Sequence, residues 1–249
     1  MSKIDSYHVM IVSKYFDTIK DFINLELVCK KFGDTMEKFH FNPIPLIFKT
    51  LGYFSNIETL HLWNREDETF GNGFLIKKLQ NGDNEDIPVF KKAFYKIIVW
   101  FNVDFETVDQ NKSRNIEFKN VTYTRDDREK FGNIIPSSVT SIGEKCFNWC
   151  SYLSNITIPL SVTSFSDWCF IGCSSLSSMI IPSNVTSIGD YCFSYCSKLS
   201  SVVIPSNVTS IGDYCFYECN NLSSVTISSN VTLFGSYCFP SNTIVQQCY

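Results

Sequence analysis

Charge is in short supply in this chain: 249 residues carry a net −4. No basic excess is available to neutralise phosphates, so nucleic acid is not an expected partner. No apolar run approaches the 18 residues of a membrane-spanning helix, so no transmembrane segment is expected. The start, Met1-Ser2-Lys3-Ile4-Asp5-Ser6-Tyr7-His8, lacks a charged segment followed by an apolar core. Without such a leader a cytoplasmic, reducing compartment is predicted, with surface association as the alternative. The final Gln246-Gln247-Cys248-Tyr249 puts cysteine in the wrong place for prenylation. Histidine is scarce, with His8, His40 and His61 all in the first half, and there is no glycine loop to cradle a phosphate. A cysteine nucleophile in the second half would therefore lack a nearby histidine base. No catalytic residue, cofactor or metal is predicted, and the chain is expected not to be an enzyme.

Charge is also unevenly placed. Of 21 Lys and Arg, only Lys145 and Lys198 lie beyond residue 133; of 25 Asp and Glu, only Glu144, Asp167, Asp190, Asp213 and Glu218 do. Ser, Thr and Asn solvate this second half instead, as suits regular turns whose side chains bond to backbone. Hydrophobic content of 44% is enough for a core, and 15% of residues are aromatic.

The second half has a period of 23 residues. Pro136, Pro159, Pro182 and Pro205 keep it, with Ser228 in the next place. Val139, Val162, Val185, Val208 and Val231 keep it too, as do Phe147, Phe170, Phe193, Phe216 and Phe239. Units this short cannot bury their apolar side alone and must stack. Within one unit, Val202 and Ile204 alternate as in a strand that Pro205 ends. Gly212 suggests a tight corner, and Cys215, Phe216 and Cys219 fit one helical turn. Successive strands are expected to stack in parallel.

The recurring Ile-Pro-Ser-Asn-Val-Thr-Ser-Ile-Gly-Asp-Tyr-Cys-Phe of residues 181–193 and 204–216 resembles the BspA-like leucine-rich repeats. The resemblance spans about residues 134–240. It implies a curved solenoid with a parallel β-sheet on its concave side, and a protein-binding rather than catalytic role. The departures are Ser166 for Gly, Phe165 and Phe234 for Ile, and Ser228 for Pro; the tail from Thr243 to Gln246 is expected to close the open end.

In the first half, Thr18 and Asp21 have capping-box spacing before a segment with Phe22, Leu25, Val28, Cys29 and Phe32 at helical intervals. Residues 56–63 alternate like a strand, residues 65–72 and 81–86 read as loops, residues 90–101 read as an apolar helix, and residues 116–123 read as another strand. Leu25-Glu26-Leu27-Val28-Cys29-Lys30-Lys31-Phe32 is similar to the Leu-x-x-Val-Cys-Lys-x-Trp of F-box segments, without the usual Leu-Pro opening and with Phe32 where Trp is common. That likeness implies docking to a ubiquitin-ligase adaptor through Leu25, Val28 and Phe32. The other reading of residues 9–41 is a helical cap over the first solenoid layer. The expected organisation is an α-rich region over 1–46, a mixed α/β connection over 47–133 and the solenoid over 134–249, an α+β repeat protein.

Several columns are candidate sites. Cys146-x3-Cys150-x18-Cys169-x3-Cys173 comes near zinc-ribbon spacing, but the pattern runs on through Cys192, Cys196, Cys215 and Cys219. Lines of stacked thiols do not converge on a tetrahedron, so two inner ladders of free cysteine are expected. Trp168, Tyr191, Tyr214 and Tyr237, headed by Lys145, form an aromatic column that could bind a partner or pack as a ridge. Thr157, Ile180, Val203 and Thr226 are expected to face outward from the sheet as the recognition strip. Asp167, Asp190 and Asp213 read as helix-start caps rather than a cation cage, and the Asn-x-Ser/Thr sites at Asn155, Asn184, Asn207, Asn221 and Asn230 as set by turn requirements rather than by glycosylation. The leading function is an intracellular binding scaffold, F-box-like at its N-terminus; the alternative is a cell-surface or secreted adhesin-like recognition protein.

Overall fold

The computed structural model describes residues 11–13, 15–28, 32–73 and 91–248. Cys29, Lys30, Lys31, Phe90 and the loop of residues 81–86 lie outside them. The chain forms two compact units: Met1–Phe101 with Asp109–Lys119, and Asn102–Val108 with Asn120–Tyr249.

In the first unit, α1 (Ile19–Val28) begins where Asp21 Oδ2 accepts from the Thr18 backbone N–H at 3.0 Å and its hydroxyl at 2.8 Å. Only Phe22 of this helix is buried; it meets Phe16, Phe39 and Phe54 edge-on at 5.0–5.8 Å. A short α2 (Phe48–Leu51) follows. Three parallel strands, β1 (Thr59–Leu62), β2 (Lys96–Val99) and β4 (Ile116–Phe118), pair in the order β1-β2-β4. Within the stretch read as a helix over residues 90–101, Lys96–Val99 is thus a strand and the other described residues are irregular. Ile97 and Val99 are buried while Lys96 and Ile98 are half-buried, and the β-branched run favours the extended chain. Buried Asn42 stands in for a neighbouring strand beside β1: its amide donates to the Ile44 and His61 carbonyls and its oxygen accepts the His61 N–H at 2.6 Å.

The second unit holds the repeats. Its larger sheet has seven parallel strands: β3 (Val103–Asp104), β5 (Val121–Tyr123), β6 (Ser141–Ile142), β7 (Ser164–Phe165), β9 (Ser187–Ile188), β11 (Ser210–Ile211) and β13 (Leu233–Phe234), neighbours in that order. A second, four-stranded parallel sheet stacks β8 (Ser178–Ile180), β10 (Ser201–Val203), β12 (Ser224–Ser228) and β14 (Ile244–Cys248). Two sheets, not one, therefore run along the coils. Helices α3 (Phe105–Gln110) and α4 (Arg125–Phe131) lie between the early strands. Thr124 and Asp127 cap α4 reciprocally, and Asp127 also accepts the N–H groups of Phe105 and Glu106.

The matching columns lie above one another inside the coil. Val139, Val162, Val185 and Val208 are fully buried, as are Phe147, Phe170, Phe193 and Phe216. The phenyl rings stack nearly parallel at 5.0–5.3 Å through to Phe239. The stretch read as a helical turn is instead a pair of tight turns. Tyr214 and Glu218 sit at φ 54° and 59°, a left-handed setting that interrupts an α-helix. The N–H groups of Tyr214 and Phe216 reach the Ser236 and Cys238 carbonyls of the next coil rather than back along their own. Gly212 is not a left-handed corner either. A Cβ there would lie 2.5 Å from the Asp190 nitrogen and 2.6 Å from the Gly189 carbonyl carbon, so glycine is needed for close approach of coils.

Candidate binding surface

Most repeated polar side chains are spent on holding coil to coil. The Asp167 carboxylate accepts the backbone N–H of Asp190 at 2.8 Å, Asp190 that of Asp213 at 2.8 Å, and Asp213 that of Ser236 at 2.6 Å. These acids are therefore not helix caps: they satisfy donors one coil onward, in the room left by the glycine column. Where Ser166 replaces glycine, the preceding residue of the acid column is Glu144, which bonds Lys145 at 2.8 Å instead. Asn184, Asn207 and Asn230 donate their side-chain amides to the Leu160, Ser183 and Ser206 carbonyls of the coil before. Thr163, Thr186 and Thr209 hydroxyls do the same to Thr140, Thr163 and Thr186.

The nine repeat cysteines are free and buried. Cys173, Cys196 and Cys219 donate S–H to the Phe147, Phe170 and Phe193 carbonyls at 3.1–3.2 Å. Burial pushes the Cys146, Cys169 and Cys215 thiols well up, and Cys238 up to about 12. Cys196 is raised first by its bonds to the Cys173 and Cys219 thiols. At neutral pH these groups are thiols, not nucleophilic thiolates. Among the described residues no cluster of three or more His, Cys, Asp or Glu could hold a metal, and none of the helices is long and apolar enough to cross a membrane.

Trp168, Tyr191, Tyr214 and Tyr237 stack face to face at 6.0, 4.9 and 5.2 Å, and Lys145 Nζ lies 4.6 Å from the Trp168 ring centre. Tyr191 and Tyr214 have a ring on both faces, which leaves their edges and hydroxyls outward, while Tyr237, last in the row, stacks on Tyr214 and is 71% exposed. Sequence reading missed a second row. Trp149 stacks on Tyr195 at 6.1 Å by lying across Gly172, where a Cβ would come within 2.6 Å of its ring. The signal was there: 149, 172 and 195 keep the 23-residue step, with glycine between two aromatics.

The outer face of the four-stranded sheet is different. Ile180 pairs with Val203, Val203 with Thr226 and Thr226 with Gln246, in register. Ile180 is 78% and Val203 62% exposed, while Met179 and Val202 between the strips are buried. Thr157 is exposed but lies one coil before this sheet begins, outside any strand. The four strands contain no charged residue.

In the first unit, Val28 is 78% exposed, and Leu25 and Phe32 are half-buried. His61 stacks on Phe41 at 5.0 Å and its Nδ1 accepts from Trp100 Nε1 at 3.4 Å. Burial, then the nearby Lys119 charge, holds its pKa down.

Stacked parallel coils with inward aliphatic, thiol and phenyl columns define a leucine-rich-repeat solenoid. Residues 128–245, just under half of the chain, match the BspA type leucine rich repeat region in six copies, and this region is a repeat array of that type. The F-box likeness of residues 25–32 finds no support, since the matched region begins at residue 128. No curated protein matches the chain. Among solved structures, it is similar to the T. pallidum leucine rich repeat protein at 21% identity, covering 59% of this chain and 78% of that one, with a TM-score of 0.38. A leucine rich cell surface protein from Faecalibacterium prausnitzii is 28% identical over 61% of this chain and 38% of its own, with a TM-score of 0.41. A Bacteroides ovatus leucine-rich repeat protein is 21% identical over 78% of this chain and half of its own, with a TM-score of 0.39.

Proposed function

We propose that the chain is a nonenzymatic protein-recognition scaffold that reads its partner with the outer face of the four-stranded sheet. The observation that carries this is the exposure, side by side and in register, of Ile180 and Val203. Two β-branched side chains left in water on a rigid, uncharged sheet offer apolar area without ordering cost. Thr226 and Gln246 continue the strip with hydrogen-bonding groups. Catalysis has no foothold in the repeats, because their thiols are buried and they contain no histidine. The aromatic column contributes a ridge of edges beside the coil rather than ring faces for stacking.

The test is a partner screen on the full chain against Ile180→Asp/Val203→Asp, with melting curves showing that the variant stays folded. Partners lost only from the variant support the strip. If they stay bound to it and are lost instead from Tyr191→Ala/Tyr214→Ala, the ridge is the recognition surface and the proposal fails. Labelling of intact cells with an impermeant reagent separates a surface-displayed, adhesin-like scaffold from an intracellular one.

A further inference from the structure

Nine sulfurs run through the core of the solenoid as two files. Five cysteines stand at 23-residue steps from Cys146 to Cys238, and four from Cys150 to Cys219. All nine are free, and none is more than 6% exposed. Neighbours along a file touch: Cys169 shares a hydrogen bond with the Cys192 thiol, and Cys196 with the thiols of Cys173 and Cys219. Packing alone accepts an aliphatic side chain in such a column, as Val139, Val162, Val185 and Val208 show in the same core. Sulfur next to sulfur along a whole core is, in addition, a set of soft metal ligands at a fixed repeat.

A file excludes most metals. Zinc takes four ligands converging as a tetrahedron, and among the described residues no group of three or more His, Cys, Asp or Glu could hold an ion. A two-coordinate ion needs only one sulfur on each side. With a metal–thiolate bond of about 2.3 Å, the two sulfurs stand about 4.6 Å apart, close to the ~4.8 Å step between parallel strands. The phenyl column beside the thiols repeats at a similar 5.0–5.3 Å. Charge selects the ion further. Burial holds the Cys146, Cys169 and Cys215 thiols in the neutral form, so an ion that brought net charge into this core would be strongly disfavoured. A monocation that replaces a thiol proton brings none: it forms bonds to two sulfurs, one S–H breaks, and one proton leaves to solvent. Five sulfurs bridged by four such ions keep one proton and are neutral, and so are four sulfurs bridged by three. The S–H bonds to the Phe147, Phe170 and Phe193 carbonyls are given up, but each carbonyl still accepts the N–H of Cys150, Cys173 or Cys196 at 3.2 Å. Copper(I) is the monocation that soft thiolates select. We propose that both cysteine files bind copper(I), one ion between each pair of successive sulfurs, as two linear chains of alternating sulfur and metal.

The full chain, refolded from urea without oxygen in the presence of a copper(I)–acetonitrile complex and then washed with a weak copper(I) chelator, tests this. Native mass spectrometry is expected to count about seven ions per chain, four in the file of five cysteines and three in the file of four. Removing single sulfurs shows whether they act as bridged pairs. Cys192→Ala and Cys196→Ala, in mid-file, should each lose two ions. Cys146→Ala and Cys150→Ala, each first in its file, should lose one, and Cys248→Ala, outside both files, should lose none. Far-UV circular dichroism shows that each variant is folded. X-ray absorption at the copper edge of the native chain needs no variant and is expected to show two sulfurs per ion at about 2.3 Å. A folded chain that yields all its copper to the chelator overturns the proposal. So does an equal loss from all five variants, as for thiols binding one by one, or a coordination shell of three or four sulfurs.

Discussion

Gly212→Ala is the most direct probe of how the coils are held. A methyl carbon at this position meets three atoms below 3.0 Å: the Asp190 carboxylate oxygen, the Asp190 nitrogen at 2.5 Å and the Gly189 carbonyl carbon at 2.6 Å. Two of the three are backbone and cannot swing away. Overpacking of this kind costs about 1–3 kcal/mol. Displacing the carboxylate also weakens its bond to the Asp213 N–H, and a hydrogen bond to a charged group contributes about 1.5–3 kcal/mol. The two effects overlap, so a loss of roughly 3–4 kcal/mol is expected. That corresponds to a fall in Tm of about 6–16 °C for a chain of this size. Urea unfolding followed by far-UV circular dichroism measures it. The double variant Asp190→Ala/Gly212→Ala tells the two causes apart: with the carboxylate already gone, adding the methyl should cost about 1–2 kcal/mol less than it does in the native background. Gly52→Ala is the control, since a Cβ there meets nothing within 4 Å. If Gly212→Ala stays within about 0.5 kcal/mol of native, as surface changes do, close approach of coils is not why the column is glycine.

The inside–outside assignment predicts that Phe193→Ala costs about 3–5 kcal/mol, as for a buried core aromatic, whereas Val203→Ala, 62% exposed, costs under about 1; equal costs in urea unfolding would refute it. Alkaline pH should destabilise the solenoid. The folded pKa values of Cys146, Cys169, Cys196 and Cys215 are raised, and that of Cys238 to about 12, so the stabilisation from these five thiols is complete below the unfolded value near 8.5 and is lost as pH rises toward the folded values. The slope is about 1.4 kcal/mol per pH unit for each of these five thiols, and a Tm that stays flat to about pH 11 under reducing conditions contradicts it. Tyr191 is held at φ 54° with rings on both faces at 6.0 and 4.9 Å. Tyr191→Ala loses both stacks and keeps the backbone strain, while Tyr191→Gly relieves about 1 kcal/mol of it, so glycine should be the better replacement; alanine equal or better in thermal melts would show that the left-handed setting is not strained.

The repeat was legible because every coil must present the same side chain at the same height. Columns such as Val185, Cys192 and Phe193 therefore announce burial by recurrence alone, and all three are fully buried. What recurrence could not tell was backbone conformation. Cys215, Phe216 and Cys219 have helical spacing, yet the intervening Glu218 and the preceding Tyr214 sit at positive φ, and nothing about Tyr or Glu signals a left-handed residue. Glycine serves both positive φ and close approach, so the recurrence of Gly189, Gly212 and Gly235 does not by itself separate a corner from a contact between coils. The sheet also begins earlier than the visible period. Val103 pairs with Val121 and Thr122 with Ser141, steps of 18 and 19 residues that break the 23-residue period. Over residues 90–101 a short apolar run fitted helix and strand alike, and the β-branched Ile97, Ile98 and Val99 were the better guide.

Which columns remain free to bind follows from which are already engaged. The acids of residues 167, 190 and 213 each hold a backbone N–H of the coil ahead. The Asn and Thr columns hold carbonyls of the coil behind. The tyrosines spend their ring faces on one another. A partner that recruited any of these would have to break a bond between coils, and the loss would be felt as instability of the array rather than as affinity. Ile180 and Val203 carry no such duty: their backbones make the rungs, and their side chains stand in water. Under the proposed role, change at those positions would alter recognition at the least cost in stability, because the strip can vary while the ladders that hold each coil to the next stay fixed.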